Sequence, residues 1–218
     1  MKRPLDPDTW EPPQPLTWRA GGVPGALAGS RLFDQPEHRA FRDAITAFLA
    51  VPGPVALDIG IDHGTRFLDH ARRFPDIRWL GAEIRRGRVA AAAPQAPPNA
   101  AVLRVDARTL LDSVVPPGRL SWVYILFPSP SNDPRHLLVT PSLLASLARA
   151  LVPGGVVHLA TDVPGMARWI ATCFEGWLPA DPPPSGPVLT RRERVCARDR
   201  REVWRWSVRV ANVEVHPG

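Results

Sequence analysis

"VALDIGIDHGTRFLDHARRF", residues 55–74, decides the fold. Val55, Ala56 and Leu57 begin a short apolar run that ends in Asp58, Ile59 and Gly60, the pattern of a buried strand entering a tight turn. "TRFLDHARRF" then reads as a helix. The same unit recurs downstream. "IRWLGAE" is a second strand ending at Glu83, and "RRGRVAAAA" is helical. "AVLRVDA" is a third strand ending at Asp106, and "LSWVYILF" a fourth. "PSLLASLARAL" is a helix stopped by Pro153, Gly154 and Gly155. "GVVHLATD" is a fifth strand, and "PGMARWIATCF" a helix with proline in its first turn. Strands alternating with helices at this spacing predict an α/β fold, a mostly parallel sheet with helices on both faces. The alternation from Val203 to Val210 predicts a last strand, antiparallel and at an edge. Upstream, Phe41, Ala44, Ile45, Phe48 and Leu49 recur at helical spacing in Pro36–Ala50. Residues 1–35, rich in Pro and Gly with Trp10 and Trp18 as isolated anchors, read as an irregular arm. Residues 36–218 are expected to form a single domain.

The chain has 218 residues, with 44% hydrophobic and 22% charged, the proportions of a soluble globular protein. No apolar run approaches the ~18 residues of a membrane span. The basic pair Lys2-Arg3 has no apolar segment behind it, so "MKRPLDPDTW" is not a secretory signal. Cys173 and Cys196 make neither a disulfide framework nor a ligand set. These features predict a cytoplasmic protein with no membrane and no metal. The net charge is +6 and the pI about 10.7, with Lys2 the sole lysine. Both a GC-rich codon usage and an affinity for phosphate, which arginine grips in a planar fork, account for that bias.

In doubly wound sheets ligands bind at the carboxyl ends of the strands. Three such ends carry acids here: Asp58, Glu83 and Asp106. Gly60 and Gly64 follow the first and permit a close backbone turn before a helix. A dinucleotide turn needs G-x-G-x-x-G, whereas this one reads Gly60-x-Asp62-x-Gly64. Its central acid repels a pyrophosphate and suits a ligand with a positive group. S-adenosylmethionine, with a sulfonium, an ammonium and a ribose diol, meets that description.

The fourth strand opens abruptly into "FPSPSNDPRH", Phe127–His136. With "LDIGIDHG", "WLGAEIRRGRV", "LRVDARTLL", "ALVPGGVVHLATD" and "TRRERV", it stands in the order and spacing of the bacterial tRNA (guanine-N7-)-methyltransferases, which the chain resembles from Val55 to Val208. The resemblance implies the Rossmann-like fold of S-adenosylmethionine-dependent methyltransferases, with tRNA as partner and guanine N7 as methyl acceptor. It implies that Asp58, Gly60 and Gly64 form the cofactor turn. Glu83 would hold the ribose, Asp106 would lie near the adenine, and Phe127 would lie beside the cofactor. Thr161 and Asp162 would face the guanine, with Ser129 and Asp162 as the catalytic positions. Arg135 and His136 would lie beside the RNA, and Thr190 and Glu193 would close over the site. The chain departs from the family in its fourth-strand loop. Ser129 stands where the family has an acid, and Ser131 where it has Trp. Asp133 and Pro134 replace lysines, "LLVT" replaces a basic run, and Asp62 replaces the middle glycine.

Guanine N7 is an in-plane lone pair with no proton to lose, so its methylation needs alignment more than a base. Loss of the loop acid is compatible with that chemistry. Two other readings stay open. One is a methyltransferase acting on a small nitrogen heterocycle. The other is a non-catalytic RNA-binding relative. "TRRERVCARDRR" and "EIRRGR" supply arginines for phosphate contact or for a solvated surface.

Overall fold

The computed structural model describes residues 6, 8–11, 36–133 and 136–211. In chain order the elements are α1 (Pro36–Ala50), β1 (Val55–Ile59), α2 (Thr65–Arg73), β2 (Arg78–Glu83), α3 (Arg86–Ala92), β3 (Ala100–Arg104) and α4 (Ala107–Ser113). Then follow β4 (Leu120–Leu126), α5 (Pro141–Ala150), β5 (Leu151–Thr161), α6 (Pro164–Cys173), β6 (Leu178–Pro179), α7 (Arg191–Arg198) and β7 (Trp204–Arg209). The described strands form one sheet in the order β3-β2-β1-β4-β5-β7-β6. Strands β1 to β5 pair in parallel, and β7 runs antiparallel to both β5 and β6. The expected antiparallel strand is present, with the two-residue β6 outside it at the edge, where Pro179 forfeits no central ladder bond.

All five residues of β1 are buried, as both faces of a covered parallel strand must be. Alternate residues serve opposite faces. Val55, Leu57 and Ile59 join the larger apolar cluster with Leu80, Val123 and Leu159. Ala56 joins a smaller one with Phe67, Trp79 and Tyr124. The strand order reverses between β1 and β4, so a crevice opens at their carboxyl ends.

Three local features differ from the expectations. Pro153-Gly154-Gly155 does not stop α5, which ends at Ala150, but forms an irregularity inside β5: pairing jumps from Leu120↔Leu151 to Trp122↔Val156. Two short helices, α4 and α7, were not anticipated. The "LLVT" run is not an exposed surface, since Leu137 and Val139 are fully buried in the larger cluster and Thr140 caps α5. In the arm, Trp10 is buried, and its carbonyl stands 1.8 Å from where a Cβ on Gly165 would be, so no side chain fits at that point of α6. Trp18 and most of the expected arm lie outside the described residues. No helix among the described residues is long and apolar enough to cross a membrane.

Candidate active site

The carboxyl ends of β1, β4 and β5 open into a cleft of about 800 Å³. Its walls come from five places: Ile61–His63 after β1 with Thr65 and Arg66 of α2, Arg85 and Arg88 after β2, Phe127–Pro130 after β4, Asp162 and Val163 after β5, and Thr190 with α7. Of the sequence-derived site residues, Asp58, Phe127, Ser129, Asp162 and Thr190 line it together. Gly60 and Gly64 shape the turn beneath. Among the described residues, Glu83, Asp106, Thr161, Glu193 and His136 lie off the wall, and Arg135 lies outside the described residues.

The turn contains three residues in the left-handed region: Gly60 at φ 80°, Asp62 at φ 54° and Gly64 at φ 78°. The Gly60 N–H donates to the Ala82 carbonyl at 2.8 Å, fastening the turn to β2. A Cβ on Gly64 would approach the Ala92 Cβ to 2.8 Å, whereas one on Gly60 would meet nothing within 4 Å. The space over Gly60 is therefore open. Phe127 also sits at φ 54°, a backbone state that costs a bulky residue on the order of 1–3 kcal/mol. Its N–H donates to the Ala160 carbonyl at 2.7 Å, so β5 holds the bend that turns Ser129 into the cleft.

Six arginines and three aspartates line the cleft, and each aspartate is held by at least one arginine. Arg66 Nη1 donates to Asp58 Oδ2 at 2.8 Å, both side chains being almost wholly enclosed. Burial pushes the Asp58 carboxyl up, with the Arg66 charge opposing it. Arg88 contacts Asp62 Oδ1 at 2.8 Å and Glu83 Oε2 at 3.4 Å, while Glu83 Oε1 accepts the Arg85 N–H at 2.9 Å. Asp162 accepts from Arg192 Nε at 3.0 Å and Nη2 at 2.5 Å, and Arg201 Nε is 3.1 Å from its Oδ2. The bond to Asp162 holds the Arg192 guanidinium protonated beyond its ordinary range.

Other site residues have structural duties. Asp106 caps α4 by accepting the Arg108 N–H at 2.9 Å and also binds the Arg108 side chain. Burial pushes its carboxyl up, but these bonds outweigh burial and hold it below the usual range. Thr190 and Glu193 form a reciprocal capping box at the start of α7, and Glu193 also meets Arg205 at 3.2 Å. Thr161 is buried and accepts the Val163 N–H. His136 is exposed, 3.7 Å from Asp133. The T-x-x-E spacing was the available signal for α7. The arginine partners had no such signal.

Behind Asp58, the Arg66 guanidinium lies 4.6 Å over the Tyr124 ring. The Tyr124 hydroxyl donates to the Pro184 carbonyl at 2.6 Å. His70 Nδ1 is 3.0 Å from the Arg66 carbonyl, and its Nε2 accepts the Gly186 N–H at 2.7 Å, an arrangement that places the ring proton on Nδ1. The proline-rich loop that leads to α7 is thus tied to the back of the cleft. Burial pushes the His70 imidazole down to about 4 and the Tyr124 phenol up.

This strand order, with a glycine turn after β1 and a cleft at the β1/β4 reversal, defines a methyltransferase fold. The aminoglycoside resistance methyltransferase NpmB1 shares that fold at TM-score 0.55 and 18% identity, over 78% of this chain and 93% of that chain. The 16S rRNA methyltransferase KamB shares it at TM-score 0.57 and 19% identity, over 81% and 94%. A family model described as "Putative methyltransferase" matches residues 52–205. A tRNA (guanine-N(7)-)-methyltransferase of Thermosynechococcus vestitus is 33% identical over 82% of this chain and 83% of its own length. One of Halorhodospira halophila is 37% identical over 56% of each chain, and one of Mycobacterium avium 31% identical over 67% of this chain and 60% of its own. The chain therefore spans little more than half the length of those last two relatives. It belongs to the family of these tRNA (guanine-N(7)-)-methyltransferases.

Proposed function

We propose that the chain transfers a methyl group from S-adenosylmethionine to N7 of a guanine in tRNA, in the cytoplasm. The observation that carries the reading is the convergence on one cleft of the β1 turn, the Phe127–Pro130 loop and the Thr190–Val195 segment, three of the motifs on which the resemblance rests.

The residues present fit the cofactor. The backbone over Gly60 is open, and Glu83 presents a carboxylate at the end of β2 suited to a ribose diol. Bound there, the cofactor would supply an electrophilic methyl group. Asp58 would act on its ammonium through the Arg66-held carboxylate. The Phe127 bend and the rigid Pro128-Ser129-Pro130 loop would orient the acceptor base, and Ser129 would give it a hydrogen bond. No side chain need remove a proton, because N7 carries none. The arginine excess around the cleft suits a phosphate backbone, and Arg85 and Arg191 stand exposed for that contact.

One observation favours a second reading. Both oxygens of Asp162 already accept from arginines, and Ser129 is no acid, so these two positions offer no free carboxylate to the N–H edge of guanine. A small heterocycle lacking that edge would not need one.

The test is methyl transfer from labelled S-adenosylmethionine to unmodified tRNA, followed by strand cleavage at 7-methylguanine. Incorporation at one guanine is expected. Cofactor binding without incorporation would move the acceptor to small heterocycles.

A further inference from the structure

We propose that Arg88 sets the affinity for the cofactor, because it occupies the carboxylate that the ribose must reach. This rests on the cofactor reading above and concerns a residue for which that reading has no role. Glu83 is 4% exposed, and both its oxygens are in use: Oε1 by the Arg85 N–H at 2.9 Å, Oε2 by Arg88 Nη1 at 3.4 Å. A carboxylate has about four lone-pair sites and could accept a diol beside both donors. Glu83, however, is enclosed and off the cleft wall while Arg88 lines the cleft, so a diol reaches the carboxylate only if a group covering it moves. The backbone N–H is fixed in the chain. The guanidinium contact is long by hydrogen-bond standards and sits on a flexible stem, so Arg88 is the donor that yields.

Arg88 does not become an unmatched charge when it yields. Its other nitrogen, Nη2, lies 2.8 Å from Asp62 Oδ1, the shorter of its two acid contacts. Asp62 occupies a left-handed position of the turn, φ 54°, where glycine would be unstrained and would offer no anchor. The carboxylate at this strained position therefore retains Arg88 across the mouth of the turn whether Glu83 is free or engaged. Asp62, Arg88 and Glu83 form a clasp between the β1 turn and the end of β2, and the cofactor binds by exchanging with its weaker arm.

The test is calorimetric titration of wild type, R88A, R88M and E83Q with S-adenosylmethionine and, separately, with S-adenosylhomocysteine, which lacks the sulfonium charge. The clasp predicts that R88A and R88M bind both ligands about five- to tenfold more tightly than wild type, and that E83Q binds both at least tenfold more weakly. R88M keeps the apolar stem, which guards against a fold defect in R88A. Unchanged or weaker binding by both Arg88 variants, with wild type binding, overturns the clasp and leaves the cofactor reading standing. A gain for S-adenosylmethionine alone also overturns it, assigning Arg88 a charge effect on the sulfonium rather than an exchange at the ribose. Absence of binding by all four folded proteins overturns the cofactor reading itself, and the clasp with it.

Discussion

On the β1–β2 side of the cleft, Asp58 on the wall and Glu83 behind it meet arginines eight and five residues further along the chain. On the β5–α7 wall, Asp162 meets an arginine thirty residues away. The first wall is complete once two strand-turn-helix units have formed. The second exists only when the proline-rich loop and the tail have folded back. Enclosure differs as well. The side chains of Asp58 and Arg66 are 5% and 10% exposed, whereas Arg192 is 39% exposed opposite an Asp162 at 3%. Like chemistry thus yields a rigid wall on one side and an openable one on the other.

The sharpest way to break this contrast is R66A. It strands Asp58 in a buried site and removes the cation over Tyr124, so a loss of about 3–5 kcal/mol is expected in urea unfolding. A loss under 1 kcal/mol would mean that Asp58 simply takes up a proton.

Acid comes next. His70 and His158 are both held to about 4, burial being the larger cause in each and the Arg66 charge the next. Unfolded histidine titrates near 6.5, so the unfolded chain binds protons first as the pH falls. The stability present above pH 6.5 should drain away down to about pH 4, by up to a few kcal/mol. His70→Gln should flatten the slope of the urea midpoint in that window. An unaltered slope would show that His70 titrates normally.

R192A should cost less, about 1.5–3 kcal/mol, because Arg201 still meets Asp162. Hydrogen exchange should show α7 opening well before β1 and β2. Uniform exchange along the chain would erase the distinction between the walls. The smallest effect is expected for T190A, about 1 kcal/mol from loss of the cap, read as faster amide exchange in the first turn of α7.

The sheet was legible because buried parallel strands are continuous apolar runs with glycines and acids at their ends, as "VALDIG" and "WLGAE" show. Helix α4 was not, because "ARTLLDS" is a short segment directly behind a strand. Helix α7 is hidden by its charges: the resemblance gives Thr190 and Glu193 as residues that close over the site, and the same two side chains also satisfy each other's backbone in a capping box. Acids at strand ends were legible, and their partners were not. Nothing in local sequence ties Asp162 to Arg192, or Asp62 to Arg88, because those pairs depend on how separate elements dock. The apolar "LLVT" misled in a similar way. It is core, and its lack of charge says little about what the cleft binds.

Tyr124 is the chain's single tyrosine. Its ring lies beneath Arg66 and its hydroxyl holds the proline-rich loop at Pro184. The protein therefore carries a built-in optical gauge, with no competing phenol in the spectrum. While the loop stays fastened, alkali leaves Tyr124 in its neutral form past the range near pH 10 where a free phenol ionises. Burial, not the Arg66 charge, keeps the phenol neutral, so the onset of the tyrosinate band marks the moment at which its cover opens, and reports from the back of the cleft without a label.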